Sequence, residues 1–184
     1  MIIYLPNFLT ILRIAMVPWL LVVLQQGNFL LSLIIFVAAG ITDGLDGYIA
    51  KKYNAQTKLG AILDPLADKA LLVSSYVMLA ILEFIPFWLV VTVVFRDIMI
   101  IGGYLIMELF FGSVTMRPLR ISKINTVVQI AFVTLVLTSL AWSFELVLLI
   151  KFSAYLVFIT SVISGTAYIY IGSIKATNSS ELNP

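Results

Sequence analysis

Apolar residues fill this chain in long blocks rather than in alternation with polar ones. Six stretches approach the ~20 residues that carry a helix across hydrocarbon, near 7–25, 29–50, 63–82, 86–110, 123–142 and 146–172. Short polar segments separate them: QQGN at 25–28, KKYNAQTK at 51–58, EFIP at 83–86, GSVTMRPLRISK at 112–123 and WSFE at 142–145. Blocks of this length predict helices, because in hydrocarbon the backbone polar groups must be satisfied within the segment itself. The expected fold is an all-α integral membrane protein with about six transmembrane helices, forming a single membrane-embedded domain over 1–184. Ahead of the first span, MIIYLPNF has the make-up of a short interfacial segment, with Tyr4 and Pro6 at headgroup level. It lacks the basic start and small-residue cleavage site of a signal peptide, so Met1 is expected to stay. The polar tail ATNSSELNP is expected to fray.

Composition agrees with the pattern and narrows the chemistry. The 184 residues are 62% hydrophobic and 11% charged, against roughly 25% charged in a soluble domain. Cysteine and histidine are both absent, which removes disulfides, thiolate or imidazole metal ligands, and cysteine or histidine nucleophiles. Chemistry must therefore rest on carboxylates, amines, guanidinium groups and hydroxyls. A net charge of +2 without a long basic run gives no footprint for nucleic acid. The bilayer is the partner that the composition implies.

Charge also orients the spans. Lys51, Lys52, Lys58, Arg117, Arg120, Lys123 and Lys175 fall in alternate connections, whereas Glu83 and Glu145 fall in the others, so the basic side is expected to face the cytoplasm together with both termini. Lys151 alone is on the opposite side, close enough to a helix end to snorkel. Trp88, Trp142 and Tyr170 fit interfacial aromatic belts.

Four of the nine acidic residues crowd into one stretch, TDGLDGYIAKKYNAQTKLGAILDPLADK. Positions 43, 46, 47 and 50 follow helical spacing, which puts Asp43, Asp46, Gly47 and Ala50 on one stripe at the end of the second span. Asp64 and Asp68 are likewise one turn apart, with Gly60 a turn before them. Pro65 suits the opening turn of the third span, with Asp64 as its cap. An ionised carboxylate in hydrocarbon costs at least about 2.5 kcal/mol, and four together repel one another, so a cation is required. Oxygen-only donors favour magnesium, manganese or calcium over zinc. Two such ions about 4 Å apart suit a phosphoryl-type displacement. Gly47, Ala50 and Gly60 leave room for a phosphate ligand to approach the backbone.

Written as spacing, the stretch is Asp43-x2-Asp46-Gly47-x2-Ala50-Lys51-x8-Gly60-x3-Asp64-x3-Asp68. It resembles the D-x2-D-G-x2-A-R-x8-G-x3-D-x3-D signature of the CDP-alcohol phosphotransferases at every fixed position except Lys51, where the family has arginine. Lysine keeps the charge but loses the planar fork. The resemblance implies transfer of a phosphatidyl group from CDP-diacylglycerol to an alcohol with release of CMP, at the cytoplasmic face of a bacterial inner membrane. It also implies magnesium or manganese, two ions in all, and a homodimer. By position it implies Asp43, Asp46, Asp64 and Asp68 as metal ligands, Asp68 also as general base, and Asp43, Asp46, Gly47, Ala50, Lys51 and Gly60 as the CDP-binding surface. Two other readings stay open. Intramembrane aspartates also line ion paths in small transporters, and intramembrane prenyltransferases use aspartate-rich helices with magnesium, although in longer chains with their acidic motifs far apart.

Three further stretches bear on the acceptor. PNFLTILR at 6–13 and ISKINTVVQ at 121–129 resemble the first-span and fifth-span starts of enzymes making phosphatidylglycerol phosphate or cardiolipin. Arg13 has two readings, a phosphate contact or a pair with a nearby aspartate. Arg96, in VVFRDIMII, is either an ion pair with Asp97 or an acceptor-phosphate arginine, and the second is preferred here. Arg117, Arg120 and Lys123 are either topology signals or acceptor contacts, with Lys123 the better candidate beside Asn125, Thr126 and Gln129. Enzymes using glycerol 3-phosphate commonly place another arginine beyond the Arg96 position, where this chain has Gly103 and Tyr104. That difference favours phosphatidylglycerol, a phosphodiester, as acceptor. Cardiolipin synthases of the phospholipase-like type need histidine and are excluded.

Overall fold

The computed structural model describes residues 5–52, 58–111 and 119–180, with side chains described for 8–45, 63–64, 66–103 and 119–173. Its elements are α1 (Leu5–Gln25), α2 (Phe29–Lys52), α3 (Lys58–Ile81), α4 (Phe87–Phe111), α5 (Arg120–Ala141) and α6 (Val147–Ser180). The six expected spans are thus six helices, and the protein is an all-α integral membrane protein. Phe8–Gln25, Arg120–Ala141 and Val147–Ser173 are long and apolar enough to cross a bilayer by themselves. At 1.5 Å per residue α1 is about 31 Å long, the thickness of the hydrocarbon core. Large apolar side chains point outward on every helix, among them Phe8, Leu30, Leu66, Phe87, Val127 and Leu148. Water would penalise that surface, and lipid does not.

Two starts differ from expectation. Leu5 to Phe8 belong to α1 itself rather than to a separate interfacial segment, while 1–4 lie outside the described residues. Helix α3 opens at Lys58, more than a turn before 63, so Pro65 and Asp64 stand inside it and Asp64 does not cap it. The run KLGAIL is apolar enough to continue the helix upstream, and the carbonyl that Pro65 leaves unbonded costs less than ending the helix there would. Pro18 stands inside α1 in the same way.

The helices form two compact units, one of residues Met1–Pro86 with Val133–Val147 and the other of Phe87–Phe132 with Leu148–Pro184. In the first, α1 packs about equally along α2 and α3, which scarcely meet each other. The core there is Leu20, Val23 and Leu24 of α1, Ile35, Phe36 and Ala39 of α2, and Ala67, Leu71 and Leu79 of α3. Helix α1 is therefore the middle of the three. In the second unit Leu89 and Val93 of α4, Phe132 of α5, and Ala154 and Val157 of α6 are buried. Trp88 stacks on Tyr155 and meets Phe158 edge-on.

Helices α1, α3 and α5 all end alike. Gly27, Glu83 and Ser143 adopt left-handed backbone angles, with φ of 74°, 62° and 52°. After each, the next amide reaches back five residues: Asn28 to Val23, Phe84 to Leu79 and Phe144 to Ser139. This is the Schellman cap, which satisfies carbonyls that a helix end would otherwise leave bare in an apolar medium. Asn28 then caps α2 by accepting the Leu31 amide at 3.2 Å. Phe29 meets Phe84 edge-on at 5.2 Å, and 26–30 share a cavity of about 440 Å³ with Leu140 and Ala141. The connections 26–28, 82–86 and 142–146 thus gather at one end of the first unit, and the aspartates lie toward the other.

Alanine at Gly27 would meet no atom within 4 Å, so the left-handed backbone alone sets its effect. Gly27→Ala is expected to lower stability by about 1 kcal/mol, whereas Glu83→Gly should change it less, because relief of strain is offset by a freer unfolded chain. Thermal unfolding midpoints of the two variants in detergent check this.

Candidate active site

Asp43 stands nine residues before the end of α2 and Asp68 ten residues after the start of α3. Counted along antiparallel helices, these positions are level, and Asp64 is one turn nearer the connection. Helix α1 runs parallel to α3 with Thr10 beside Asp64 and Arg13 beside Asp68. Thr10 Oγ1 donates to Asp64 Oδ1 at 2.6 Å. Arg13 Nη1 lies 2.7 Å from Asp43 Oδ1 and 2.8 Å from Asp68 Oδ1. One face of α1, from Thr10 to Arg13, thereby holds three carboxylates from two other helices.

Of the two readings of Arg13, the structure shows the aspartate pair. Its side chain is 0% exposed, while those of Asp43 and Asp68 are each 41% exposed. The arginine is sealed behind the carboxylates, and the carboxylates face outward where a ligand can reach them.

The donor chemistry fits a hard cation. All three described groups are carboxylates, and a guanidinium nitrogen already bridges Asp43 and Asp68 as a positive charge. Among the described residues no three such groups converge into a metal cage in this arrangement. The side chains of Asp46, Gly47, Ala50, Lys51 and Gly60 lie outside those described, although their backbone belongs to α2 and α3. Nothing in the sequence alone marked Thr10, but its spacing of three from Arg13 put both on one face.

A second polar cluster lies in the other unit. Arg96, 5% exposed, donates from Nη1 to Asp97 Oδ1 at 2.7 Å. Its Nε and Nη2 donate to Ser164 Oγ at 3.2 and 2.6 Å, and Nη2 also donates to Ser122 Oγ. The ion-pair reading of Arg96 is thus realised, extended by two serines that the sequence did not single out. Ser122 stands in the opening turn of α5, where Arg120 and Lys123 are exposed. Asn125 is buried, and its Oδ1 accepts from Thr160 at 2.8 Å and Ser161 at 3.0 Å. Gln129 is buried as well, and Thr126 bonds the Ser122 carbonyl. Asn125 thus ties α5 to α6, while Thr126 bonds within α5. Arg117 lies outside the described residues, as does the side chain of Tyr104.

The family model described as CDP-alcohol phosphatidyltransferase matches residues 3–167. A probable cardiolipin synthase (CMP-forming) of Drosophila melanogaster is 37% identical over 76% of this chain and 48% of its own length. A CDP-diacylglycerol–glycerol-3-phosphate 3-phosphatidyltransferase of Bacillus subtilis is 32% identical, covering 72% of this chain and 76% of that one. A probable phosphatidylglycerophosphate synthase of Mycobacterium tuberculosis is 30% identical over 95% of this chain and 87% of its own. The chain spans about half the length of the cardiolipin synthases that it matches.

Removing one member of a buried ion pair strands the other. Asp97→Ala is expected to lower stability by about 3 kcal/mol, and Ser164→Ala by about 1 kcal/mol. Chemical or thermal unfolding of the two variants checks the order; equal effects would contradict it.

Proposed function

Because the chain belongs to the CDP-alcohol phosphatidyltransferase family, we propose that it transfers the phosphatidyl group of CDP-diacylglycerol to a glycerol-type alcohol, releasing CMP. The observation that carries this reading is the convergence of Asp43, Asp64 and Asp68 on one face of α1, two of them open to a ligand. The setting is the cytoplasmic face of a bacterial inner membrane, on the basic side of the spans, with the protein as a homodimer.

Asp43, Asp46, Asp64 and Asp68 hold the divalent cations, magnesium or manganese and two in number. When bound, such ions neutralise phosphate charge and lower the pKa of a coordinated hydroxyl. Asp68 takes the proton of the acceptor hydroxyl, whose oxygen attacks the phosphorus that carries the diacylglycerol. The bond from that phosphorus to the CMP oxygen breaks, and CMP leaves as the phosphate monoester. Gly47, Ala50 and Gly60, lacking bulk, admit the CDP moiety against the helix backbone, and Lys51 meets its phosphate with a single charge. The acceptor's phosphate is met by the cations at the opening of α5, Arg120 and Lys123, with Arg96 behind them through Ser122 and Arg117 just upstream.

Phosphatidylglycerol is the preferred acceptor, as in a cardiolipin synthase. Gly103 and Tyr104 supply no cation where a monoester dianion would need one, and a phosphodiester carries only one charge. Glycerol 3-phosphate is the second reading, favoured by the relatives from Bacillus subtilis and Mycobacterium tuberculosis.

Purified protein with CDP-diacylglycerol and magnesium is expected to release CMP with phosphatidylglycerol and to make cardiolipin, identified by mass. Asp68→Asn should reduce release by at least about a hundredfold, the low end of a general base's contribution. Release with glycerol 3-phosphate alone would reassign the acceptor. No release with either acceptor or with other polar alcohols would remove the transferase reading.

A further inference from the structure

The carboxylates come from α2 and α3, yet those helices scarcely touch, and α1 is packed along both. Helix α1 is thus placed to set the separation and rotation of the carboxylates. Two side chains do this. Thr10 holds Asp64 by Oδ1, and Arg13 Nη1 lies against the Oδ1 atoms of both Asp43 and Asp68. Both are 1% exposed or less, so neither rotates without disturbing the core around it. Asp43 and Asp68 remain partly exposed while they are held.

We infer that Thr10 and Arg13 are positioning residues for the metal-binding aspartates, a second layer that turns each carboxylate and sets the spacing between α2 and α3. This rests on the metal-dependent reading above. Metal-binding carboxylates are commonly oriented by hydrogen bonds of this kind, and loss of such a partner typically weakens the metal by ten- to a hundredfold. The role differs from that of a counter-charge, and the two make opposite forecasts. Were Arg13 present only as a positive charge, its removal would relieve repulsion and tighten a divalent cation. With Arg13 as a positioning residue, its removal weakens the cation even though repulsion is relieved.

The test uses Mn2+ alone, titrated against the full-length protein in detergent and followed by paramagnetic resonance of the free ion, with thermal unfolding in chelator measured alongside. Arg13→Met is expected to weaken Mn2+ by about tenfold or more. Thr10→Val keeps the shape and removes one donor to Asp64. It should weaken Mn2+ by severalfold with little change in unfolding, which keeps the inference testable if Arg13→Met fails to fold. Tighter Mn2+ in Arg13→Met would make the arginine a competing charge and overturn the inference. So would lowered unfolding midpoints with Mn2+ affinity unchanged in both variants, which would leave Thr10 and Arg13 merely structural. If the unsubstituted protein binds no Mn2+, the metal-dependent reading falls first and the inference with it; binding that is indifferent to both substitutions sinks the inference alone.

Discussion

A guanidinium sealed inside a membrane protein is the constraint on which the first helical unit depends. Arg13 cannot reach water, and an isolated charge in such surroundings is too costly to keep. It is tolerable because two carboxylates close over it, one from each neighbouring helix. The requirement runs both ways, since Asp43 and Asp68 level with each other would repel without the cation between them. Helix α1 must then lie between α2 and α3, as it does. The apolar packing of Leu20, Val23 and Leu24 along the same helix completes what the ion pairs begin.

Much of this was legible in the chain because it is local. Helical blocks, polar breaks and the aspartate spacing all depend on residues within a turn or a connection of one another. The left-handed caps were half legible: Gly27 is a residue that such a cap favours, while Glu83 and Ser143 carry no such mark and are held there by the i−5 bonds of the following amides. Pro65 misled for a related reason. Proline at an opening turn is the commoner case in water, but in a bilayer a helix continues through proline more readily than its backbone can be left unpaired.

What could not be read was which partner a buried cation takes. Arg13 lies 55 residues from Asp68, and no periodicity within α1 distinguishes an arginine aimed at a ligand from one aimed at a carboxylate. The same holds for Arg96, whose partner Ser164 is 68 residues away. Serine is among the least informative residues in an apolar helix, because it also satisfies itself on its own backbone, as Ser75 and Ser153 do here.

The two arginines nevertheless differ in a way that bears on their roles. The carboxylate of Arg96 is nearly as buried as the arginine, 7% against 5% exposed, so that pair is closed on itself. The carboxylates of Arg13 are 41% exposed over an arginine that is not exposed at all. A closed pair gives up nothing to a ligand without first being broken, and its natural work is to tie helices together, here α4 to α5 and α6. An open pair presents negative charge outward while its own cation stays behind, and can receive a second cation without the first leaving. Asymmetric burial of the two partners, rather than the presence of an ion pair, is therefore what separates an arginine that builds a site from one that holds a fold.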